Sequence, residues 1–260
     1  MGVVNVTPDS FSDGGRWYGY QRAVDHGLDL AAEGADVVDV GGESTRPGAA
    51  PVGETEECRR VLPVIEALAD RGVRVSVDTR KAAVAGAAVD AGATLINDVS
   101  ASLWPVAAAK GVGWVAMHMQ GDPQTMQADP RYDDVVTEVL DFLVDRAGRA
   151  MAAGVADVWI DPGIGFGKTL GHNLQLLHHL DRLVATGLPV VVGTSRKSFL
   201  GRLAASANGS TAEPAPVEDR LEGSLASAVW AMTQGVAMLR VHDVRPTVQA
   251  VRLVKDPVSA

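Results

Sequence analysis

Polar and charged residues end several short, Val- and Ile-rich stretches of this chain, and their types could bind an anion and a flat heterocycle. Cationic side chains suit phosphate oxygens, whereas carboxylates and amides can pair with ring N–H groups. The positions are Asn5, Asp39, Asp78, Asn97 with Asp98, His118, Asp161, Thr194 through Lys197, and Arg240 with His242. Helix-capping residues are usually Ser, Thr, Asp or Asn, so the Lys, Arg and His side chains indicate a functional site.

These residues fall into two sets, one suited to bind an anion and one suited to bind a flat heterocycle. The anion set is Asn5, Arg46, Arg240 and His242, with the glycine-rich backbone of "GGESTRPG". The heterocycle set is Asp78, Asn97, Asp161 and Lys197. An alternative makes Asp78 and Asp161 a metal-binding or acid/base pair. Their spacing alone leaves that alternative open, although no H-x-H or H-E-x-x-H motif is present.

The histidines outside these two sets carry weaker signals. His118, in "MHM", fits a buried core position as well as a site position, and both interpretations stay open. His172, His178 and His179 fall in a helical stretch away from the strand ends, so we expect them to face solvent.

The elements that must position these residues alternate between strand and helix. Near-continuous apolar runs are typical of a parallel sheet covered on both faces. Eight such runs occur: "GVVNV", "DVVDV", "RVSVD", "TLIND", "GWVAMH", "DVWID", "PVVVG" and "AMLRVHD". With Ala-rich helical patterns between them, they predict an α/β fold, a (β/α)8 TIM barrel that forms one domain over residues 1–260. An open doubly wound sheet is the alternative, but no G-x-G-x-x-G follows the first strand.

The composition excludes several classes of protein. The net charge of −9 argues against nucleic-acid and anionic-membrane partners. No apolar stretch reaches the ~18 residues that a membrane span needs. The single cysteine, Cys58, excludes an internal disulfide and fits a cytoplasmic protein, and the first residues lack the basic region of a secretory signal. Residues 205–219, "ASANGSTAEPAPVED", predict a mobile loop.

Eight successive motifs resemble the signatures of the bacterial dihydropteroate synthase family of pterin-binding enzymes. They are "GVVNVTPDSFSDGG", "VDVGGESTRPG", "VSVDT", "LINDVS", "MHMQG", "IDPGIGFGKT", "VVGTSRKSFLG" and "RVHDV", in this order over residues 2–244. The resemblance implies a barrel that condenses 6-hydroxymethyl-7,8-dihydropterin pyrophosphate with p-aminobenzoate. The products would be 7,8-dihydropteroate and pyrophosphate, in folate biosynthesis. It also implies Mg²⁺ as cofactor, a homodimer built through late helices, and sulfonamides as inhibitors.

The resemblance further implies a role for each matched residue. The implied pterin pocket comprises Asp78, Asn97, Met117, Asp161 and Lys197. Pyrophosphate and p-aminobenzoate contacts are implied for Asn5, Phe11, Thr45, Arg46, Pro47, Phe166, Ser198, Arg240 and His242, with Asn5 as the metal ligand. The implied catalytic residues are Asp13, Arg46, Lys197, Arg240 and His242. Ile164 departs from the family pattern, in which an aromatic residue is common there.

The stretch "NVTPDSFSDGG", residues 5–15, is too long for a plain turn of about two to five residues. Given the resemblance, we expect Thr7 to Gly15 to form a mobile lid. Phe11 and Asp13 would then enter the site only when substrate is present.

Two rival functions share part of this pattern. A corrinoid-dependent methyltransferase domain has the same fold and some pterin-pocket residues, and a non-catalytic paralogue would bind pterin without turnover. "TPDSFSDGG" and "SRKSFLG" argue against the first, and the intact motif positions argue against the second. We therefore expect dissociative substitution at the pterin methylene, with the charge on the leaving pyrophosphate stabilised by Arg46, Arg240, His242 and Mg²⁺.

Overall fold

The computed structural model describes residues 1–7, 16–44, 49–207 and 214–255, and these ranges alternate between strand and helix. The strands are β1 (Gly2–Asn5), β2 (Val38–Gly41), β3 (Val75–Asp78), β4 (Leu95–Asp98), β5 (Gly113–Met117), β6 (Val158–Asp161), β7 (Val191–Val192) and β8 (Met238–Leu239). The helices are α1 (Arg16–Ala32), α2 (Glu54–Ala69), α3 (Ala82–Asp90), α4 (Trp104–Lys110), α5 (Val135–Ala152), α6 (Leu170–His178), α7 (Leu180–Val184), α8 (Ser198–Ala207), α9 (Leu221–Thr233) and α10 (Val244–Lys255). All eight predicted strands are confirmed.

The strands close into a barrel. β1 to β6 form one parallel sheet in sequence order, and β7 pairs in parallel with β8. Two single bridges join these sheets: Ile160 pairs with Val190, and Gly2 pairs with Val241. The circle is therefore complete, and the predicted (β/α)8 barrel is confirmed.

Two groups of buried side chains follow the alternation of each strand. The smaller group consists of Met1, Val37, Leu95, Val115 and Val191. Neighbouring residues such as Val38, Ile96 and Ala116 belong instead to the larger group, which includes side chains of the helices. Because successive side chains point to opposite faces of a strand, the smaller group fills the barrel interior. The larger group packs between strands and helices.

The histidines of α6 differ from one another in their surroundings. His178 and His179 are exposed, as predicted. The prediction that His172 faces solvent is wrong in part, because this side chain is half-buried and belongs to a capping box with Thr169. Its ring also lies edge-on to Tyr132, with centroids 5.0 Å apart.

The mobile loop predicted over residues 205–219 is wrong at both ends. Residues up to Ala207 continue α8, because the alanine-rich stretch favours helix more than its polar neighbours oppose it. Val217–Asp219 form a 3₁₀ helix that precedes α9. Residues 208–213 lie outside the described ranges. Within those ranges, no helix is both long and apolar enough to cross a membrane.

Candidate active site

The carboxyl ends of the strands bring predicted site residues to one end of the barrel. Across β1 to β4 the residues in register there are Asn5, Gly41, Asp78 and Asn97. Across β5 and β6 they are Met117 and Asp161. Residues in register point to the same face of a sheet, so the chain places these side chains where barrels hold their active sites.

Arg240 is the centre of a partly buried ionic cluster. Its Nε donates to Asp39 Oδ2 (2.7 Å), and one terminal nitrogen donates to Asp78 Oδ2 (2.7 Å). The amide nitrogen of Asn97 donates to the same Asp39 oxygen (2.9 Å). Asp39 is fully buried, and its second oxygen has no hydrogen-bond partner in the described part of the chain. A single carboxylate thus orients both Arg240 and Asn97.

The protonation of this cluster follows from its burial. Burial raises the pKa of Asp78 to about 7, although the neighbouring Arg240 guanidinium opposes this shift. Burial alone would lower the pKa of Arg240, but the carboxylates of Asp39 and Asp78 more than offset it, so the net pKa shift is upward. Arg240 therefore stays cationic, whereas Asp78 gains or loses its proton near neutral pH.

Asp161 and Lys197 form the opposite side of the site. Asp161 is buried, and its Oδ1 accepts the backbone N–H of Gly163 (2.7 Å). Burial raises its pKa, with the Lys197 ammonium acting in the other direction. Lys197 has a pKa lowered to about 8 by burial, and Asp161 opposes that shift. The Lys197 ammonium donates to the carbonyl of Ile164 and lies 4.7 Å from the centre of the Phe166 ring.

His242 is held by the neighbouring loop. The hydroxyl oxygen of Ser195 accepts the His242 backbone N–H and lies 3.1 Å from its Nδ1. Ser198 opens α8 and is exposed. The bidentate pair between Arg196 and Asp243 links the same two loops, with Nε donating over 2.9 Å. The ends of β7 and β8 are thereby fixed together.

Five predicted site residues lie outside the described ranges. They are Phe11, Asp13, Thr45, Arg46 and Pro47, and the predicted lid beyond Thr7 falls there too. Their roles stay predictions.

A second ionic cluster borders the stretch that includes Thr45. Glu57 of α2 is fully buried, accepts the Thr79 hydroxyl (2.7 Å) and pairs with the Lys81 ammonium. Lys81 also donates to Glu43 (2.7 Å), whose other oxygen accepts the Val52 backbone N–H (2.8 Å). These contacts tie the segment after β3 to both described ends of the segment after β2.

Comparisons with known proteins agree with this geometry. The pterin binding enzyme family matches residues 1–242. Dihydropteroate synthase of Escherichia coli K12 is 47% identical, covering 100% of this chain and 92% of the relative. Among solved structures, Xanthomonas albilineans dihydropteroate synthase with 4-aminobenzoic acid has a TM-score of 0.89 and 48% identity, covering 98% of this chain and 91% of that one. A Yersinia pestis dihydropteroate synthase with a sulfonamide drug complex has a TM-score of 0.89 and 47% identity, covering 98% of this chain and 92% of that one.

The chain belongs to the dihydropteroate synthase family of pterin-binding enzymes. The match covers all eight strands, and the residues described above lie at their carboxyl ends, where barrels hold their active sites. The resemblance drawn from the eight sequence motifs is confirmed.

The sequence did not reveal every residue that shapes this dihydropteroate synthase-like site. Asp98 turned out to be a loop cap, since its carboxylate accepts the backbone N–H groups of Ser100, Ser102 and Leu103 over 2.7–2.9 Å. Asp39 was noted only as a strand end, yet it orients two site residues. The sequence does contain a sign of this role: Asp39 stands between two valines of a buried strand, and a buried carboxylate requires a partner.

Gly163 allows the loop after β6 to contact the loop after β5. Its φ is +65°, and a Cβ there would lie 1.8 Å from the His118 carbonyl oxygen. We expect Gly163→Ala to lower the free energy of unfolding by at least about 3 kcal/mol, because neither backbone can move without disturbing its strand. Urea denaturation checks this.

Gly148→Ala is the matched control for that measurement. Gly148 lies within α5, and a Cβ there would meet nothing within 4 Å. Alanine should therefore raise stability by roughly 0.5–1 kcal/mol. Equal unfolding midpoints for the two variants would contradict the close approach at Gly163.

Proposed function

We propose that this chain condenses 6-hydroxymethyl-7,8-dihydropterin pyrophosphate with p-aminobenzoate, forming 7,8-dihydropteroate and pyrophosphate. The observation that carries the proposal is the ring of Asp78, Asn97 and Asp161 at the strand ends, the last two buried and Asp78 half-buried, with Lys197 and Arg240 beside them. Carboxylates and an amide can pair with the N–H groups and nitrogens of a pterin, and the cations suit its pyrophosphate. Membership of the dihydropteroate synthase family supports the same reaction.

The pterin would lie against the buried half of this ring. Asp161 would accept the amino group and the adjacent ring N–H, and Asp78 and Asn97 would pair with the remaining polar edge. Met117 is buried in register with Asp161, so its side chain is placed to pack on the flat ring. Lys197 would border both the pterin and the second substrate.

The pyrophosphate and p-aminobenzoate would occupy the open side of the ring. Asn5, Arg240 and His242 lie at the ends of β1 and β8 and would face the pyrophosphate. Phe166 and Ser198, beside Lys197, would contact p-aminobenzoate. Phe11, Thr45, Arg46 and Pro47 would complete this side, with Asp13 as a further catalytic residue.

The chemistry that fits these residues is a dissociative substitution. The bond between the methylene carbon and the pyrophosphate oxygen breaks, and both electrons leave with the pyrophosphate. Arg240, His242 and Arg46 stabilise that charge where it develops. The methylene cation is delocalised into the dihydropterin, and the p-aminobenzoate nitrogen attacks it with its lone pair and then loses a proton. The neutral arylamine needs positioning more than deprotonation, and water must be excluded.

Mg²⁺ is the proposed cofactor, and Asn5 is its proposed protein ligand. The described residues contain no group of three or more His, Cys, Asp or Glu side chains that could hold a metal. The side-chain oxygen of Asn5 is the hard type of ligand that Mg²⁺ prefers, and substrate phosphates would supply further oxygens. When bound, the ion would neutralise charge on the leaving pyrophosphate.

A homodimer is the proposed assembly, and sulfonamides are proposed inhibitors. Exposed apolar side chains on the late helices, namely Leu203, Leu221, Trp230 and Val254, support an interface there. The Yersinia pestis relative was solved with a sulfonamide drug, which supports a p-aminobenzoate site of the same kind. A cytoplasmic location is proposed from the single cysteine.

Pyrophosphate release, measured with and without p-aminobenzoate, tests the proposed reaction. The purified full chain, the pterin pyrophosphate and Mg²⁺ should release pyrophosphate only when p-aminobenzoate is added, in step with 7,8-dihydropteroate. Pterin binding without release in either case would point to a non-catalytic pterin-binding protein. Methyl transfer from a methylated pterin would point to a methyltransferase, and either outcome would overturn the proposal.

The raised pKa of Asp78 predicts a pH dependence of pterin binding. With a pKa of about 7, Asp78 is mostly protonated at pH 6 and mostly ionised at pH 8. The ionised carboxylate accepts N–H groups better, so affinity for the pterin pyrophosphate should fall about tenfold from pH 8 to pH 6. Calorimetry without p-aminobenzoate measures this. Asp78→Asn should flatten the profile, and a flat wild-type profile would contradict the assignment.

A further inference from the structure

Lys168 is a buried lysine that none of the roles above uses, and burial lowers its pKa to about 7. It lies just before α6, and its side chain is 2% exposed. The ammonium donates to the backbone carbonyls of Phe166 (3.0 Å) and His118 (3.3 Å), and it lies 2.9 Å from His118 Nδ1. In the described part of the chain, no carboxylate lies within ion-pair distance of it. Its terminal nitrogen thus lies within hydrogen-bond distance of three groups in two loops.

The histidine supplies an acceptor rather than a second cation. Burial, and then the Lys168 cation, lower the pKa of His118 to about 3, so its ring is neutral at physiological pH. In that state Nδ1 can accept from the ammonium while Nε2 carries the hydrogen. The ring itself is fixed edge-on to Phe142, with centroids 5.0 Å apart. This settles the two interpretations that the sequence left open for His118, in favour of a buried partner of Lys168.

The two loops approach so closely that side chains are excluded between them. A Cβ on Gly167 would lie 2.3 Å from the carbonyl oxygen of Gln120, a contact like that at Gly163. The Tyr132 hydroxyl donates to the Gly167 carbonyl (2.9 Å). Lys168 completes this interface by joining the Phe166 carbonyl to the His118 carbonyl.

The fixed segment carries the groups that hold Lys197. The Ile164 carbonyl accepts from the Lys197 ammonium, and the Phe166 ring lies under the same ammonium at 4.7 Å. We infer that Lys168 is a positioning residue that fixes segment 163–167 and thereby sets Lys197 and Phe166 for p-aminobenzoate. The second half of this inference rests on the proposed function, because that function places p-aminobenzoate beside Phe166.

Lys168→Met tests the inference in the full-length chain. Methionine fills a similar volume but offers none of the three hydrogen bonds. Amide hydrogen exchange at Ile164 to Phe166 should become at least about tenfold faster, because the hydrogen bonds that Lys168 makes to both loops are lost. KM for p-aminobenzoate should rise about tenfold for the same reason, and KM for the pterin pyrophosphate should rise less, because Phe166 faces only p-aminobenzoate whereas Lys197 borders both substrates. Unchanged exchange, or an equal rise in both KM values, would overturn the inference.

Lys110→Met is the matched control. Lys110 is a surface lysine paired with Asp90 on α3, and its replacement should change neither exchange in 163–167 nor either KM. Should Lys168→Met not fold, His118→Phe keeps the ring contacts but removes one acceptor. It should give about a threefold effect in the same exchange measurement, and no effect would overturn the inference.

These readouts separate the inference from the proposed function. Hydrogen exchange reports the fixing of the loop even if no turnover is found, whereas turnover by the unmodified chain alone tests the reaction. Phe166→Leu should raise KM for p-aminobenzoate less in Lys168→Met than in the unmodified chain, since both changes disturb the Phe166 contact. Additive effects would contradict action through Phe166.

Discussion

Asp161→Ala should abolish measurable pterin binding, with a loss in affinity of at least about 10³-fold. A site built to accept a ligand's N–H groups loses far more than a single bond when the acceptor disappears, because both the ligand and the remaining buried groups are left unpaired. Here the remaining group is the Lys197 ammonium, whose charge Asp161 offsets in a buried position. Calorimetric titration with the pterin pyrophosphate, in the absence of p-aminobenzoate, gives the affinity directly.

Two further variants make the Asp161 result interpretable. Asp161→Asn keeps the shape and one acceptor oxygen, so it should recover part of the affinity that alanine loses. Asp90→Ala removes an exposed carboxylate on α3 and should bind pterin normally. Normal pterin affinity in Asp161→Ala would remove Asp161 from the pterin pocket, and equal losses in both Asp161 variants would indicate damage to the loop rather than a lost acceptor.

The sequence predicts the barrel well because a short apolar run marks each strand independently of the others. Runs such as "PVVVG" place valines on both faces, a pattern typical of a parallel sheet that is covered on both sides. Barrel geometry then predicts that Asn5, Asp78 and Asp161 meet, since all strand ends reach the same rim. Neither prediction, of the barrel or of the residues at its rim, depends on which side chains contact one another.

The pairing inside the site could not be predicted in the same way. Arg240 contacts Asp39 and Asp78 across separations of 201 and 162 residues. Which carboxylate meets a given guanidinium depends on barrel closure and side-chain conformation, and no local pattern records either. The motifs therefore imply a catalytic and substrate-contacting role for Arg240, but they indicate neither its carboxylate partners nor a role for Asp39.

The burial of Lys168 could not be predicted from the sequence, for a different reason. Its motif, "GFGKT", contains the residue, but its acceptors are mostly backbone carbonyls, and any sequence provides those. Only the close approach of two loops, permitted by Gly163 and Gly167, shows that a lysine there is enclosed. The burial of Lys168 thus follows from the packing of the two loops and not from its motif.

Arg240→Met should reduce turnover by at least about 10³-fold and also destabilise the fold. The guanidinium lies between the fully buried carboxylate of Asp39 and the half-buried carboxylate of Asp78, and it is proposed to stabilise the leaving pyrophosphate. Removing one partner of a buried ion pair typically costs about 3–5 kcal/mol, because the other charge is left uncompensated. The pKa of Asp78 should rise further, since Arg240 is the group that holds it down. Pyrophosphate release and urea denaturation measure the two effects.

A second substitution separates the structural effect of Arg240 from its catalytic one. Adding Asp39→Asn to Arg240→Met removes the uncompensated negative charge while keeping an oxygen that can accept from Asn97. Stability should then recover in part, but turnover should not, because no cation faces the pyrophosphate from β8. Arg149→Met, which breaks only an exposed pair with Asp145, should change stability by less than about 0.5 kcal/mol. Recovery of turnover in the double variant would show that Arg240 acts by shaping the site and not through its charge.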